Sequence, residues 1–351
     1  MSLARPSAPV SGRPGRWKGL WPLLALAIFN LAVTALGLWQ SFWWAILGVD
    51  MVLVVMLADN LGARVPVRHQ GGYSRLLALG FPLLLLLVWE ALVAGGVLNA
   101  RWFPPPARIA AALWDLTVTF DRFSETSLIG RPWLIPERLA TEGWPGVWAL
   151  FRESHVFATL SRVLVGFLLG AAPGVLLGMV MGLNRTVRAM LDSTMSAIYV
   201  LPKIAIFPLM MLIFPDPFGE GPKIAVVAIS AFFLVAINTM AGVQGIDKVY
   251  LEAGRNYGAN RWQMLRHVII PGALPIIFSG LRLSLGTALI VIVAVEFIRA
   301  QVGVGFIVYY YWQILVTEKM YAGLLVVMAL GVLLTYGLQW LERKAMPWRK
   351  G

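Results

Sequence analysis

Apolar residues fill eight long runs of this chain, at roughly 19–39, 41–59, 76–97, 157–183, 193–214, 223–243, 272–297 and 320–341, and the polar and basic residues gather between them. Each run reaches the roughly 20 residues that a helix needs to cross a hydrocarbon core about 30 Å thick. Lipid offers no hydrogen-bond partner to the backbone, so each run is predicted to be helical. The first run reads as a retained span and not a cleaved leader, being long and lacking a following small-x-small site. The first two runs predict a tight hairpin turning near Gln40-Ser41, with Trp17, Trp21, Trp39, Trp43 and Trp44 as interfacial aromatics. Asp50 lies inside the second run; an intramembrane acid is a functional candidate, with helix packing or snorkelling as the plain alternative. Between 98 and 156 the pattern changes. Pro104-Pro105-Pro106 stops a helix, and Ala107–Leu116 places Ile109, Leu113 and Leu116 on one face of an amphipathic stretch suited to the membrane surface. Residues 121–150 show no period and read as an irregular external insertion. In the fourth run Gly166, Gly170, Gly174, Gly178 and Gly182 recur every fourth residue, a ladder for close helix packing at a homodimer or pore interface.

Composition narrows the class. Of 351 residues 59% are hydrophobic and 13% charged, with mean hydropathy +0.76, against about half apolar and a quarter charged in an ordinary soluble domain. The fold class is therefore all-α, a polytopic membrane protein with about eight transmembrane helices. The net charge of +12 does not point to nucleic acid, because the basic residues flank apolar runs and form no soluble face. They concentrate in the tail 1–18, the segments 60–75, 184–192 and 244–271, and the C-terminal tail with Arg343, Lys344, Arg349 and Lys350. With eight spans these five segments share one side, which the positive-inside rule makes cytoplasmic, both termini included. The division that follows is a basic tail at 1–18, an N-terminal hairpin and loop at 19–75, a span with an external segment at 76–156, and a core at 157–345. The absence of cysteine excludes disulfides and thiolate metal sites, and His69, His155 and His267 all fall between runs, which argues against a metal- or haem-bearing core.

One polar stretch stands apart, Glu252 to Pro275, reading EAGRNYGANRWQMLRHVIIPGALP. Asp247 is placed to cap a helix over Lys248–Tyr257, and Gly258 suits the left-handed position that ends it. Asn260 is placed to cap a second short helix, Arg261–Ile270, and Pro271 and Pro275 open the next span, where missing amide hydrogens do least harm. Ala253 and Tyr257 share a stripe with Val249, Ala253 and Gly254 would admit a close surface, and Glu252 and Arg255 would pair with charges across it. This elbow, within 247–271, reads as a grip for another protein; the plain alternative is an interfacial loop. Lys203, between Pro202 and Pro208, marks a broken helix of the kind that lines a cavity and would attract an anion, with a lysine packed against carbonyls or snorkelling as the plain alternative. Arg282, Glu296, Asn238, Thr239 and Ser284 are further candidates for a translocation path, Glu296 as a hinge or gate contact at the outer end. Pairing with a neighbour is the alternative for Arg282, and ordinary interhelical hydrogen bonding for Asn238, Thr239 and Ser284. Gly303-x-Gly305 follows no strand and reads as an external turn. No G-x-x-x-x-G-K-[ST] phosphate loop occurs, so the chain holds no nucleotide-hydrolysing motif of that kind.

The elbow resembles the E-A-A-x(3)-G-x(9)-I-x-L-P signature of ABC-importer permease subunits, through Glu252, Ala253, Gly254 in place of the second alanine, Gly258 and Leu274-Pro275. Phe103–Leu116, Leu160–Phe167, Leu201–Pro208, Asn238-Thr239 with Gly242, Gly280–Leu283, and Glu296 with Gly303-Val304-Gly305 are similar to the nitrate/sulfonate/taurine/bicarbonate branch of that family. The hairpin at 19–59 and the insertion near 121–150 depart from it. The resemblance implies a type I importer core in a bacterial inner membrane and an elbow that acts as the coupling helix, with Glu252, Ala253, Gly254, Arg255, Tyr257, Gly258, Pro271 and Pro275 at the ATPase contact. It also implies a homodimer working with two cytoplasmic ATPase subunits, which alone use ATP and Mg, and an external solute-binding protein, so that this chain is itself no enzyme and binds no cofactor. The implied solute is a small anion such as nitrate, sulfonate, taurine or bicarbonate. An ion-coupled secondary transporter is the alternative; it would need paired intramembrane acids or inverted repeats.

Overall fold

A computed structural model describes residues 21–121 and 125–349. The tail 1–18 with its basic residues, Trp17, and Lys350 lie outside the described residues. The regular elements of the described chain are helices apart from one short hairpin, and the chain divides into two compact units, one ending at Arg108 and the other beginning at Ile109.

The first unit holds α1 (Trp21–Ala35), α2 (Trp39–Gly62) and α3 (Gln70–Ala94). α1 and α2 pack as the predicted hairpin, but the turn is at 36–38, earlier than Gln40-Ser41. Gly37, at φ +64°, supplies the left-handed residue the turn requires. The described part of α1 has 15 residues and is about 22 Å long. α2 and α3 are long enough to cross, yet only 6% of either apolar window is buried. Asp50 accepts a hydrogen bond from the Asn30 side chain at 2.8 Å, which ties α2 to α1.

The second unit is built on α6 (His155–Leu183), α9 (Glu220–Gln244), α12 (Ile270–Arg299), α13 (Val304–Gln313) and α14 (Thr317–Ala345). Its core is aliphatic: Val163 on α6, Val226, Val227 and Val235 on α9, Ala288, Ile292 and Val295 on α12, and Val304 on α13 are all essentially inaccessible. The glycine ladder explains the tightest pairing. A Cβ at Gly170 would run into the Ala228 backbone, one at Gly178 would come within 2.6 Å of the Thr239 Cβ, and one at Gly182 within 2.6 Å of the Val243 Cβ. The ladder thus seats α9 of the same chain, and not a second copy or a pore, because glycine lets two backbones approach to contact.

Among the described residues six helices are long and apolar enough to span, and a seventh span arises if α7 (Arg185–Val200) and the limb Lys203–Ile213, which ends in α8 (Phe207–Ile213), count as one across their 93° bend. Each of the eight predicted runs is mainly helical over its described residues, and α1 counts 15 residues among them. The segment 184–192, expected as a loop, is the first half of α7, which Asn184 caps by accepting from the amides of Thr186 and Val187. The 121–150 region is also more ordered than expected. After α4 (Pro106–Val118) comes a hairpin of β1 (Phe120–Asp121) and β2 (Thr126–Ser127), then α5 (Ile135–Arg152), broken at Gly143. Gly143 at φ +65° and Pro145 interrupt the period that would have revealed α5.

Candidate functional site

Two constellations carry the functional candidates. The elbow joins α9 to α12. Asp247 accepts from the Val249 amide at 3.0 Å and so caps α10 (Lys248–Asn256). The far end closes as a complete Schellman motif: Gly258 N–H donates to the Arg255 carbonyl at 2.9 Å and Ala259 N–H to the Gly254 carbonyl at 3.1 Å, with Gly258 at φ +74°. Asn260 and Gln263 form a reciprocal capping box at the start of α11 (Arg261–Met264). The second elbow helix does not stop before Pro271 as expected. It passes through a π turn at Leu265–Ile269 into α12, making one continuous helix over Arg261–Ile298. Proline at 271 cannot donate to a helical partner, and the wider turn before it absorbs the mismatch.

The two elbow helices fold on each other through Gly254, where a Cβ would meet the Met264 sulfur at 2.5 Å. The small residue at 254 therefore serves packing inside the elbow. What remains outward is Val249, Tyr250, Tyr257 and Trp262, each more than half exposed, with Tyr257 at 92%. Glu252, Ala253 and Arg255 are exposed beside them, and neither Glu252 nor Arg255 makes an ion pair among the described residues. Pro271 and Pro275 lie at the edge of the span, half-buried, on the α12 side.

The second constellation is a buried charge network at the opposite end of α12. Glu296, fully inaccessible, accepts from Arg162 Nη1 at 2.7 Å, from Thr159 Oγ1 at 2.9 Å and from the Gly305 amide at 2.9 Å. Arg162 also donates to the Val302 carbonyl at 2.6 Å and pairs with Glu220, which pairs in turn with Lys223 at 3.0 Å. Val304 N–H donates to Thr159 at 2.8 Å and Gly303 N–H to His155 Nδ1 at 2.9 Å. The two glycines of Gly303-Val304-Gly305 exist for Glu296: a Cβ at 303 would overlap its carboxylate, and one at 305 would lie 2.8 Å from its Cβ. A cavity of about 610 Å³ opens beside the network, lined by Arg162, Glu220, Lys223, Phe218 and Gln301.

The remaining path candidates are not brought together. Thr239 and Ser284 are sealed in helix contacts in this conformation, Ser284 against the Ala231 carbonyl at 3.4 Å, so neither lines an open path. Glu296 is likewise sealed. Asn238 donates to the Leu234 carbonyl at 2.8 Å and fills the space left by Gly280. Arg282 pairs with Glu342 of α14. Lys203 sits at the α7 bend, donating to the Tyr199 carbonyl with its ammonium 4.3 Å from the Tyr199 ring centre. Arg162, Thr159, His155 and Glu220 were not among the path residues expected from the sequence. The signal was present as a lone arginine in one apolar helix and a lone glutamate in another, opposite charges that lipid forces together.

The family model described as the binding-protein-dependent transport system inner membrane component matches residues 174–346. The chain is 32% identical over 273 residues to the taurine transport system permease protein TauC of Escherichia coli K12, covering 78% of this chain and 89% of that protein. It is 30% identical to the putative aliphatic sulfonates transport permease protein SsuC of Bacillus subtilis 168, covering 81% and 91%. The bicarbonate transport system permease protein CmpB of Synechococcus elongatus is 32% identical over 54% of this chain and 68% of its own length.

Proposed function

The chain belongs to the binding-protein-dependent transport system inner-membrane components, the permeases of ABC importers, and from that membership we propose that its elbow is the seat of a separate cytoplasmic ATPase. The single observation that carries this reading is the outward face of α10, where aromatic residues and two unpaired charges stand on a doubly capped, rigid support. A face of this kind matches the anchor-and-rim composition of protein interfaces. In this reading Glu252, Ala253, Arg255 and Tyr257 meet the ATPase, Gly254 and Gly258 hold the shape, and Pro271 and Pro275 fix the exit into the membrane. The elbow and both termini face the cytoplasm. ATP and Mg are used by the partner alone, an external solute-binding protein delivers the solute, and a second permease copy completes the pathway.

The continuous helix from Arg261 to Ile298 gives the mechanism its lever. At 1.5 Å per residue its 38 residues reach roughly 57 Å, from the elbow to the Glu296 network. A shift imposed at α11 is carried by a rod to the contacts among Glu296, Arg162 and the 302–305 turn. Those contacts hold the outer ends of α6, α9, α12 and α13 in one arrangement, and their release accompanies the opposite state. The solute proposed is a small anion, with sulfonates first because two relatives that overlap 78% and 81% of this chain bear the names of taurine and aliphatic-sulfonate systems. Lys203 at the bend of α7 is the proposed anion contact.

The test is co-purification and reconstituted uptake. Tyr257→Glu and Glu252→Lys are expected to lower ATP-driven uptake by about tenfold or more, equivalent to about 1.4 kcal/mol or more, with an unchanged melting temperature. Wild-type uptake and ATPase retention in both variants would remove the elbow from the interface. Lys203→Gln is expected to raise the half-saturating concentration for an anion, and unchanged uptake would take Lys203 out of the path.

A further inference from the structure

Past the break at Gly143, the second half of α5 presents one face that the fold leaves bare. Trp144, Trp148 and Phe151 recur at i, i+4 and i+7, so they share a helix face, and they are 76%, 54% and 37% exposed. The adjoining face is locked. Gly146, Val147 and Leu150 are buried, and Gly130 is set so tightly that a Cβ there would run into the Leu150 carbonyl. The exposed aromatics are thus held outward by a fixed helix. They continue into the outer end of α6: Phe157 lies 5.6 Å from Trp148, edge to face, and 5.2 Å from Phe151. On α6 the same stripe runs on through Leu164 and Leu168, both exposed, along a helix whose length and composition make it a membrane span. Arg152 is exposed at the end of α5.

We propose that this helix lies in the headgroup layer of the outer leaflet, with Trp144, Trp148 and Phe151 facing lipid and Arg152 reaching phosphate. Three observations name the occupant. The aromatic face joins without a step onto the apolar flank of a span, which lipid already covers. Tryptophan is the side chain that prefers the depth between acyl chains and headgroups. The polar and buried sides of the helix are turned away, the arrangement of a helix lying in the interface plane. The insertion between α4 and α6 then acts as a float that fixes the depth of the outer end of α6, the helix carrying Thr159 and Arg162.

The chain contains no cysteine, so single labels can be placed without altering the background. Full-length protein carrying Trp148→Cys or, separately, Trp144→Cys is labelled with NBD-maleimide and reconstituted in phosphatidylethanolamine/phosphatidylglycerol nanodiscs. Glu142→Cys, before the helix face and half-exposed, is the reference. The label at 148 is expected to lose most of its emission to a headgroup-region nitroxide lipid and little to a water-soluble nickel chelate, with Glu142→Cys showing the reverse. Quenching at 148 by the chelate alone would overturn the proposal in favour of a water-exposed face. Shielding from both quenchers would overturn it in favour of a second copy or another protein covering the stripe. Trp144→Cys gives the same reading should the 148 variant fail to assemble.

Discussion

At the residue scale, glycine and buried charge decide most of the local structure. Gly170 touches the Ala228 backbone, whereas a Cβ added at Gly286 on α12 would meet nothing within 4 Å. Gly170→Ala is therefore expected to cost about 1–3 kcal/mol by forcing α6 and α9 apart. Gly286→Ala is expected to be neutral or to gain up to about 1 kcal/mol from helix propensity. Thermal melts of the two purified variants separate the cases, and equal shifts would refute the role of the ladder. The buried pair makes a second contrast. Arg162→Met leaves Glu296 inaccessible and unpaired, and is expected to cost about 3–5 kcal/mol. Arg282→Met breaks a pair whose arginine side chain is 41% exposed within the fold, and is expected to cost less than Arg162→Met. Asp115 and Lys319 form a still more open pair at 2.7 Å, and the Lys319 ammonium holds the Asp115 carboxyl below its ordinary value of 3.8. With the folded value lowered, the pair stabilises the fold above pH 3.8 and that contribution is lost as pH falls through the folded value. Asp115→Asn should thus be slightly less stable than wild type at pH 7 and equal to it in strong acid.

At the element scale, the apolar runs foretold every membrane helix because burial in lipid and burial in protein demand the same composition. For the same reason they did not tell which helices are covered: α2 and α3 read like α9 and α12, yet the first pair is almost bare within its unit and the second forms the core. The elbow was legible in detail, since Asp247, Gly258 and Asn260 each have one strong backbone preference and the structure uses all three. Its exit was not, because a π turn before Pro271 leaves no mark in the hydrophobic period. The polar candidates show the harder limit. Thr239, Ser284 and Glu296 were found as polar residues in spans, but whether such a residue faces water or a neighbouring helix depends on rotation, which one sequence does not state. Gly258→Val offers a test at this scale. Nothing crowds Gly258, so the whole cost, about 1–2 kcal/mol, comes from its left-handed backbone. Gly258→Asn should cost less, since asparagine tolerates that region.

At the scale of the whole molecule, the second unit holds together everything that links force to solute in this account. A rod joins the elbow to the Glu296 network, the ladder fastens α6 to α9, and the bend of α7 carries Lys203. No residue in this chain is asked to change a bond in the solute. In the proposed mechanism the work enters from a partner, and one surface has to receive it. The most direct measurement is a cysteine cross-link from that surface. With Tyr257→Cys in the otherwise cysteine-free chain, a short thiol-reactive benzophenone photocross-linker in the assembled transporter is expected to join the permease to its ATPase in high yield. The same linker on Trp148→Cys is expected to give no such product. An ATPase adduct absent from 257 while uptake remains intact would contradict the account.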